Sequence, residues 1–150
     1  MRGKIVLIDF WATWCGPCVA ALPDVQKLAT KYKNQGVVVV GLHTATPDAK
    51  RVLDFARGKG LTYPIAIDTS GGAHSWGQTY WRYGVSGIPV VAVIGRDGKL
   101  LYLDHGLEGA SDAIILELAR KPATSTQPAR TNVKSSATKS HVSKPAFKSS

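Results

Sequence analysis

Cys15-Gly16-Pro17-Cys18 holds the only two cysteines of a 150-residue chain. It stands where a β pattern gives way to a helical one. The strand-like run Ile5-Val6-Leu7-Ile8-Asp9-Phe10 leads into Trp11-Ala12-Thr13-Trp14, and a helical pattern follows. A thiol at a helix N-terminus meets unpaired backbone N–H groups and the positive end of the helix dipole. Both favour thiolate, so Cys15 is expected to have a lowered pKa and to be the attacking sulfur. Cys18 lies about one turn further in, close enough to close a small disulfide ring and less exposed. Gly16 and Pro17 suit a tight entry into a first helical turn. The arrangement supports a two-step exchange in which Cys15 attacks a partner disulfide and Cys18 resolves the mixed intermediate.

Two other uses of a CxxC compete with this one. Zinc needs two further ligands; His43 and His74 would have to supply them, and the strand–CxxC–helix context argues against it. A structural disulfide at this spacing would staple almost no chain. The segment Phe10-Trp11-Ala12-Thr13-Trp14-Cys15-Gly16-Pro17-Cys18 resembles the active-site segment of the thioredoxin superfamily, and its Ala-Thr-Trp variant is most similar to the TlpA/ResA-type, redoxin-like branch. That resemblance extends from Gly3 to about Arg120. It implies an α/β thioredoxin fold, a central mixed β-sheet flanked by helices. It also implies a thiol–disulfide oxidoreductase acting on protein disulfides through its own redox-active Cys15–Cys18 pair, with no other cofactor and no metal. The reducing direction is expected, with electrons from an unidentified donor. Trp14, Gly16 and Pro17 would then face the client chain.

The rest of the chain fits an alternation of strands and helices. Asp9 interrupts an otherwise apolar strand, and Asp is almost never fully buried without a partner or a task. The resemblance places it where thioredoxins carry a buried carboxylate behind the disulfide, with a raised pKa and the role of taking the proton from Cys18. A carboxylate bonded to backbone amides is the alternative. Val19–Lys33 reads as a helix with Leu22, Val25, Leu28, Ala29 and Tyr32 inward and Pro23 inside it. Val37–Leu42 reads as a second buried strand. At its C-terminal end His43 either touches the active-site surface or bonds a local carbonyl, and Asp48 is a weak stand-in for the glutamate of ResA-like proteins. Asp48–Lys59 is a predicted helix with Val52, Leu53, Phe55 and Ala56 inward, and Tyr63–Asp68 a short strand. The aromatic group Trp76, Tyr80, Trp81 and Tyr83 has helical spacing, which favours core packing over a ligand platform.

Gly87-Ile88-Pro89 precedes the strand Val90–Ile94. A proline opening a buried strand needs a reason, because it cannot donate to the ladder. The resemblance supplies one: the matching proline is cis and lies against the disulfide, and Ile88 offers its backbone to an extended partner chain. Arg96-Asp97-Gly98-Lys99 is a hairpin turn into Leu100–Leu103. A last helix is predicted over Ala113–Ala119, capped by Ser111 or Asp112, with Ile114, Ile115 and Leu118 inward.

Charge divides the chain into a domain over 1–120 and a tail over 121–150. Residues 1–120 hold 13 Lys/Arg against 10 Asp/Glu; residues 121–150 hold six Lys/Arg and no acid, out of a total net charge of +9. The tail is rich in Ser, Thr, Lys and Pro and is expected to be disordered, more a solubilising segment than a specific nucleic-acid or membrane contact. No apolar run reaches the ~18 residues of a membrane helix. Met1-Arg2-Gly3-Lys4 leads straight into the first strand, with no room for a signal peptide, so the chain as it stands is expected to be cytoplasmic and monomeric. An export signal or anchor ahead of Met1, common in the branch, would make it periplasmic or extracytoplasmic. Two alternative functions are a peroxiredoxin-like antioxidant peroxidase and a redox-inert binding module tethered by the basic tail. The first lacks the Pro-xxx-Thr-xx pattern usual before a peroxidatic cysteine, and intact Cys15 and Cys18 oppose the second.

Overall fold

Nine elements follow one another in the computed structural model, which describes residues 1–71 and 75–120. They are β1 (Ile5–Trp11), α1 (Gly16–Tyr32), β2 (Val37–His43), α2 (Ala49–Gly58), β3 (Ile65–Ile67), α3 (Gln78–Arg82), β4 (Val90–Ile94), β5 (Leu100–Asp104) and α4 (Glu108–Ala119). The tail over 121–150 and His74 lie outside the described residues. The five strands form one sheet in the order β3-β2-β1-β4-β5. β1 pairs parallel with β2 and β2 with β3, while β4 is antiparallel to both β1 and β5. This is the mixed sheet flanked by helices that the resemblance implied. Among the described residues no helix is long and apolar enough to cross a membrane.

β1 and β2 sit in the middle because their apolar runs must be covered on both faces. Ile5, Leu7, Phe10 and Trp11 are fully buried. One core cluster joins Ile5, Leu7, Val39 and Val93 of the sheet to Val25 and Leu28 of α1 and Ile114 of α4. A second cluster contains Trp11, Cys15, Cys18 and Leu22 with Val52 and Ala56 of α2, so the cysteine pair is built into packed core. Gly41 makes that packing possible. A Cβ there would lie 2.8 Å from Ile65 Cδ1 and 3.1 Å from both Trp11 Nε1 and Tyr63 Cε2.

The helices differ from the sequence reading in instructive ways. α1 begins at Gly16, not Val19, because Pro17 occupies its first turn and the helix then runs on through Pro23. α4 begins at Glu108, so Ser111 and Asp112 lie inside the helix instead of capping it. Its start follows packing: Leu107 is half-buried against the main core, and no side chain caps the first turn. Ile115 is exposed while Ile114 is buried, and Leu53 is exposed while Val52 is buried. Neighbouring helical residues point about 100° apart, so only one of each pair can face the sheet. The aromatic group also divides: Tyr80 is fully buried, whereas Trp81 is exposed. Glu117, unremarked in the sequence, is a buried carboxylate that accepts the Arg96 N–H at 3.1 Å and pairs with Arg120 at 2.9 Å, tying α4 to the β4–β5 turn.

Candidate active site

The C-terminal ends of β1 and β2 and the N-terminal end of β4 meet at one edge of the sheet. From β1 the chain passes through Ala12-Thr13-Trp14, where the Cys15 N–H donates to the Ala12 carbonyl at 3.1 Å. Cys15 is the N-cap residue of α1, and its Sγ accepts the Cys18 N–H at 3.2 Å. The two sulfurs are joined, with the Cα atoms 5.3 Å apart. Cys15 is 6% exposed and Cys18 2%, so Cys15 is the more accessible of two buried residues. No acidic residue sits in the first turn of α1 to offset its N-terminal field. Gly16, Pro17 and Trp14 are exposed around the pair.

Ile88-Pro89 crosses in front of Cys15 as a cis peptide. The Ile88 carbonyl oxygen lies 3.9 Å from Cys15 Sγ, and both Ile88 and Pro89 are half-buried. The resemblance implied that these two residues lie here, and the fold brings Ile88 to Cys15 across 73 positions of the chain.

Asp9 is 3% exposed in the middle of β1, between Gly41 and Val91 of the neighbouring strands. Its Oδ2 has no hydrogen-bond partner among the described residues. Burial pushes its pKa up to about 7. A backbone-amide bond, the alternative use of this carboxylate, is missing at Oδ2 among the described residues. Asp9 and Pro89 share a small cavity of about 40 Å³ with Ala21 and Val25 of α1. Those two residues follow Cys18 by three and seven positions, hence lie on the same helix face. The cavity therefore lies along the helix face that Cys18 shares, and its volume is enough for a water molecule.

His43 and Tyr80 brace this edge from below. His43 is buried, and its Nε2 accepts the Thr13 N–H at 3.0 Å, which puts the ring proton on Nδ1, donating to the Thr44 carbonyl at 2.8 Å. Burial pulls its pKa down, so the ring is neutral and fixes the turn that carries Trp14 to Cys15. A local carbonyl was one of the two options open to His43 from the sequence; the bond to Thr13 was not legible, because it joins residues 30 apart across two strand ends. With both ring nitrogens engaged, His43 is no ready zinc ligand. Tyr80 Oη lies 2.9 Å from the Trp11 carbonyl and 2.8 Å from the Leu42 carbonyl, closing the ends of β1 and β2. The buried Asp68 positions it by accepting the N–H groups of Thr79 and Tyr80 at 2.7 and 3.0 Å. Asp48 caps α2 by accepting the Arg51 N–H at 3.0 Å. Trp14 and Trp76 rings pack with centroids 5.9 Å apart, an aromatic shelf beside the disulfide.

A family model described as Redoxin matches residues 1–114. The chain belongs to the Redoxin family. Thiol-disulfide oxidoreductase ResA of Bacillus thuringiensis is 35% identical over 101 residues, which are 67% of this chain and 54% of that relative. The chain thus spans about half the length of the curated relatives it matches. Among solved structures, a protein assigned as the thiol:disulfide interchange protein DsbE of Chlorobium tepidum is 31% identical, with a TM-score of 0.66 over 78% of this chain and 82% of that one. A thiol-disulfide isomerase of Corynebacterium glutamicum superposes with a TM-score of 0.69 at 24% identity, covering 80% of this chain and 84% of that one, a likeness of fold. This redoxin accordingly has the thioredoxin fold and sits with the TlpA/ResA-like members of the superfamily.

Proposed function

We propose that this redoxin is a thiol–disulfide oxidoreductase that exchanges protein disulfides, with Cys15 as nucleophile and Cys18 as resolving thiol. The observation that carries the proposal is the placement of Cys15 Sγ at the N-cap of α1, accepting a backbone N–H, with the Ile88 carbonyl 3.9 Å away. Reduced, that sulfur is stabilised as thiolate by the same N–H and by the helix terminus. It attacks one sulfur of a client disulfide; the client S–S bond breaks, and one client thiolate leaves and takes a proton from solvent. Cys18 then gives its proton to Asp9 and attacks Cys15 Sγ. The Cys15–Cys18 bond forms, the bond between Cys15 and the client breaks, and the second client sulfur leaves as thiolate. Two electrons have passed from the dithiol to the client.

Asp9 suits the acceptor role because burial holds its pKa near that of a general base working at neutral pH. Its charge also opposes a second thiolate above it. Stabilised thiolates make a dithiol oxidising, so this opposition favours the reducing direction. The client would lie as an extended chain along Ile88, against Trp14, Gly16 and Pro17, and a separate dithiol donor would re-reduce the pair.

Trapping tests the assignment. With Cys18→Ala, mixed disulfides between Cys15 and clients accumulate; with Cys15→Ala they do not. The thiolate absorbance of reduced Cys15 titrates below the free-cysteine value of about 8.5. Equal trapping by both variants, or a titration at or above that value, overturns the roles.

A further inference from the structure

The β5–α4 corner reaches the active-site loop through a residue that neither the exchange chemistry nor the resemblance uses. His105 follows the last residue of β5, and its Nδ1 hydrogen-bonds the Pro89 carbonyl oxygen. A carbonyl only accepts, so Nδ1 carries the proton and the ring is the donor. His105 is itself held at two further points. Its N–H donates to Asp104 Oδ1 at 2.7 Å, and its carbonyl accepts the Tyr102 hydroxyl at 3.3 Å. Tyr102 is pressed against the first turn of α4, where a Cβ on Gly109 would come within 2.5 Å of its ring. The corner therefore has four linked parts: α4 backs Tyr102, Tyr102 holds the His105 backbone, and the His105 ring holds Pro89.

We propose that His105 is a positioning residue for client docking: through the Pro89 carbonyl it fixes the orientation of the Ile88 backbone that faces Cys15. The proposal rests on the exchange reaction above. Pro89 is joined directly to Ile88, and its ring fixes φ, so ψ of Pro89 is the one soft torsion between the held carbonyl and the Ile88 peptide. Holding that carbonyl sets the direction in which Ile88 offers its own backbone to an extended client. A small disulfide, which needs only Cys15, does not use this surface. His105 is on the surface, outside every core cluster, so its replacement tests docking and not folding.

The experiment compares wild type, His105→Ala and His105→Asn in two assays. One is steady-state reduction of insulin with dithiothreitol as donor; the other is reduction of 5,5′-dithiobis(2-nitrobenzoate) by the pre-reduced protein. His105→Ala raises the KM for insulin about three- to tenfold, the worth of one lost hydrogen bond, with kcat and the small-disulfide rate as in wild type. His105→Asn places an amide N–H where Nδ1–H stood and restores the KM. An unchanged KM in His105→Ala, equal losses on both substrates, or an asparagine variant as poor as the alanine one each overturns the proposal. If wild type itself fails to reduce insulin in a Cys15-dependent way, the exchange function falls instead; an active wild type with an indifferent His105→Ala removes only the positioning role.

Discussion

Asp9 carries a cost that can be read as a function of pH. Its carboxyl is raised by burial from 3.8 to about 7. Between about pH 4 and 7 the native state therefore keeps a proton that the unfolded chain has released. Stability from this group is complete at the acidic end and is lost as pH rises through the window, by about 4 kcal/mol in all. His43 works in the opposite direction. Burial lowers its pKa below 6.5, so its contribution is present above that value and is lost as pH falls toward the folded pKa. In the oxidised protein, chemical denaturation of wild type and Asp9→Asn from pH 5 to 8 separates the two. Asp9→Asn is expected to be as stable as wild type or more so at pH 8, with the advantage shrinking as pH falls through 7 toward 5; the variant keeps the His43 slope alone. Resolution by Cys18 slows in the same variant near neutral pH, read by stopped-flow reduction of a protein disulfide. A large loss of stability at pH 8, or unchanged turnover, would make Asp9 a structural group and send the Cys18 proton elsewhere.

Strand β2 states its constraint through Gly41. A glycine inside a strand ordinarily costs about 0.5–1 kcal/mol against alanine. Here the methyl group would meet Ile65, Trp11 and Tyr63 at 2.8 to 3.1 Å in a close-packed region. Overpacking of that kind costs about 1–3 kcal/mol and outweighs the propensity gain. Gly41→Ala is thus expected to lower the denaturation midpoint, and a raised midpoint would show that the three neighbours can give way. The sequence announced β2 as a buried strand from Val37 to Leu42 but could not announce this contact, which depends on side chains from β1 and from the segment before β3. The same division runs through the site. The CxxC, its place at a helix start, and the loop Ile88-Pro89 were legible because local pattern and a nine-residue resemblance carry them. The braces from His43, Tyr80 and His105 were not, since each is one polar atom meeting a backbone group 16 to 69 residues away. The start of α4 escaped for a related reason: the half-buried Leu107 governs it, and no capping residue marks it.

Across the whole molecule, the sheet closes between Ile5 and Asp104, and α4 seals it through Ile114 and through Glu117 on the β4–β5 turn. Cys15, Cys18 and Asp9, the groups proposed to react, and Pro89 beside them all belong to this body. Charge is apportioned differently: residues 121–150 carry six of the 19 Lys/Arg and no acid, leaving the body a net +3 out of +9. Attraction between exposed charges is screened within about 8 Å at physiological salt, so any pull of the segment after Arg120 on a client over distance is expected only at low ionic strength. A chain ending at Arg120 is expected to unfold within about 0.5 kcal/mol of the full chain and to reduce a small neutral disulfide at the same rate. With an acidic protein disulfide the full chain is faster at low salt, and the difference vanishes as salt rises, because electrostatic steering is the part that screening removes. The measurements are denaturation midpoints and second-order rates from about 10 mM to 500 mM salt. A truncated chain that loses stability would mean that the segment packs on the body; an unchanged salt slope would deny its charge any part in finding the client.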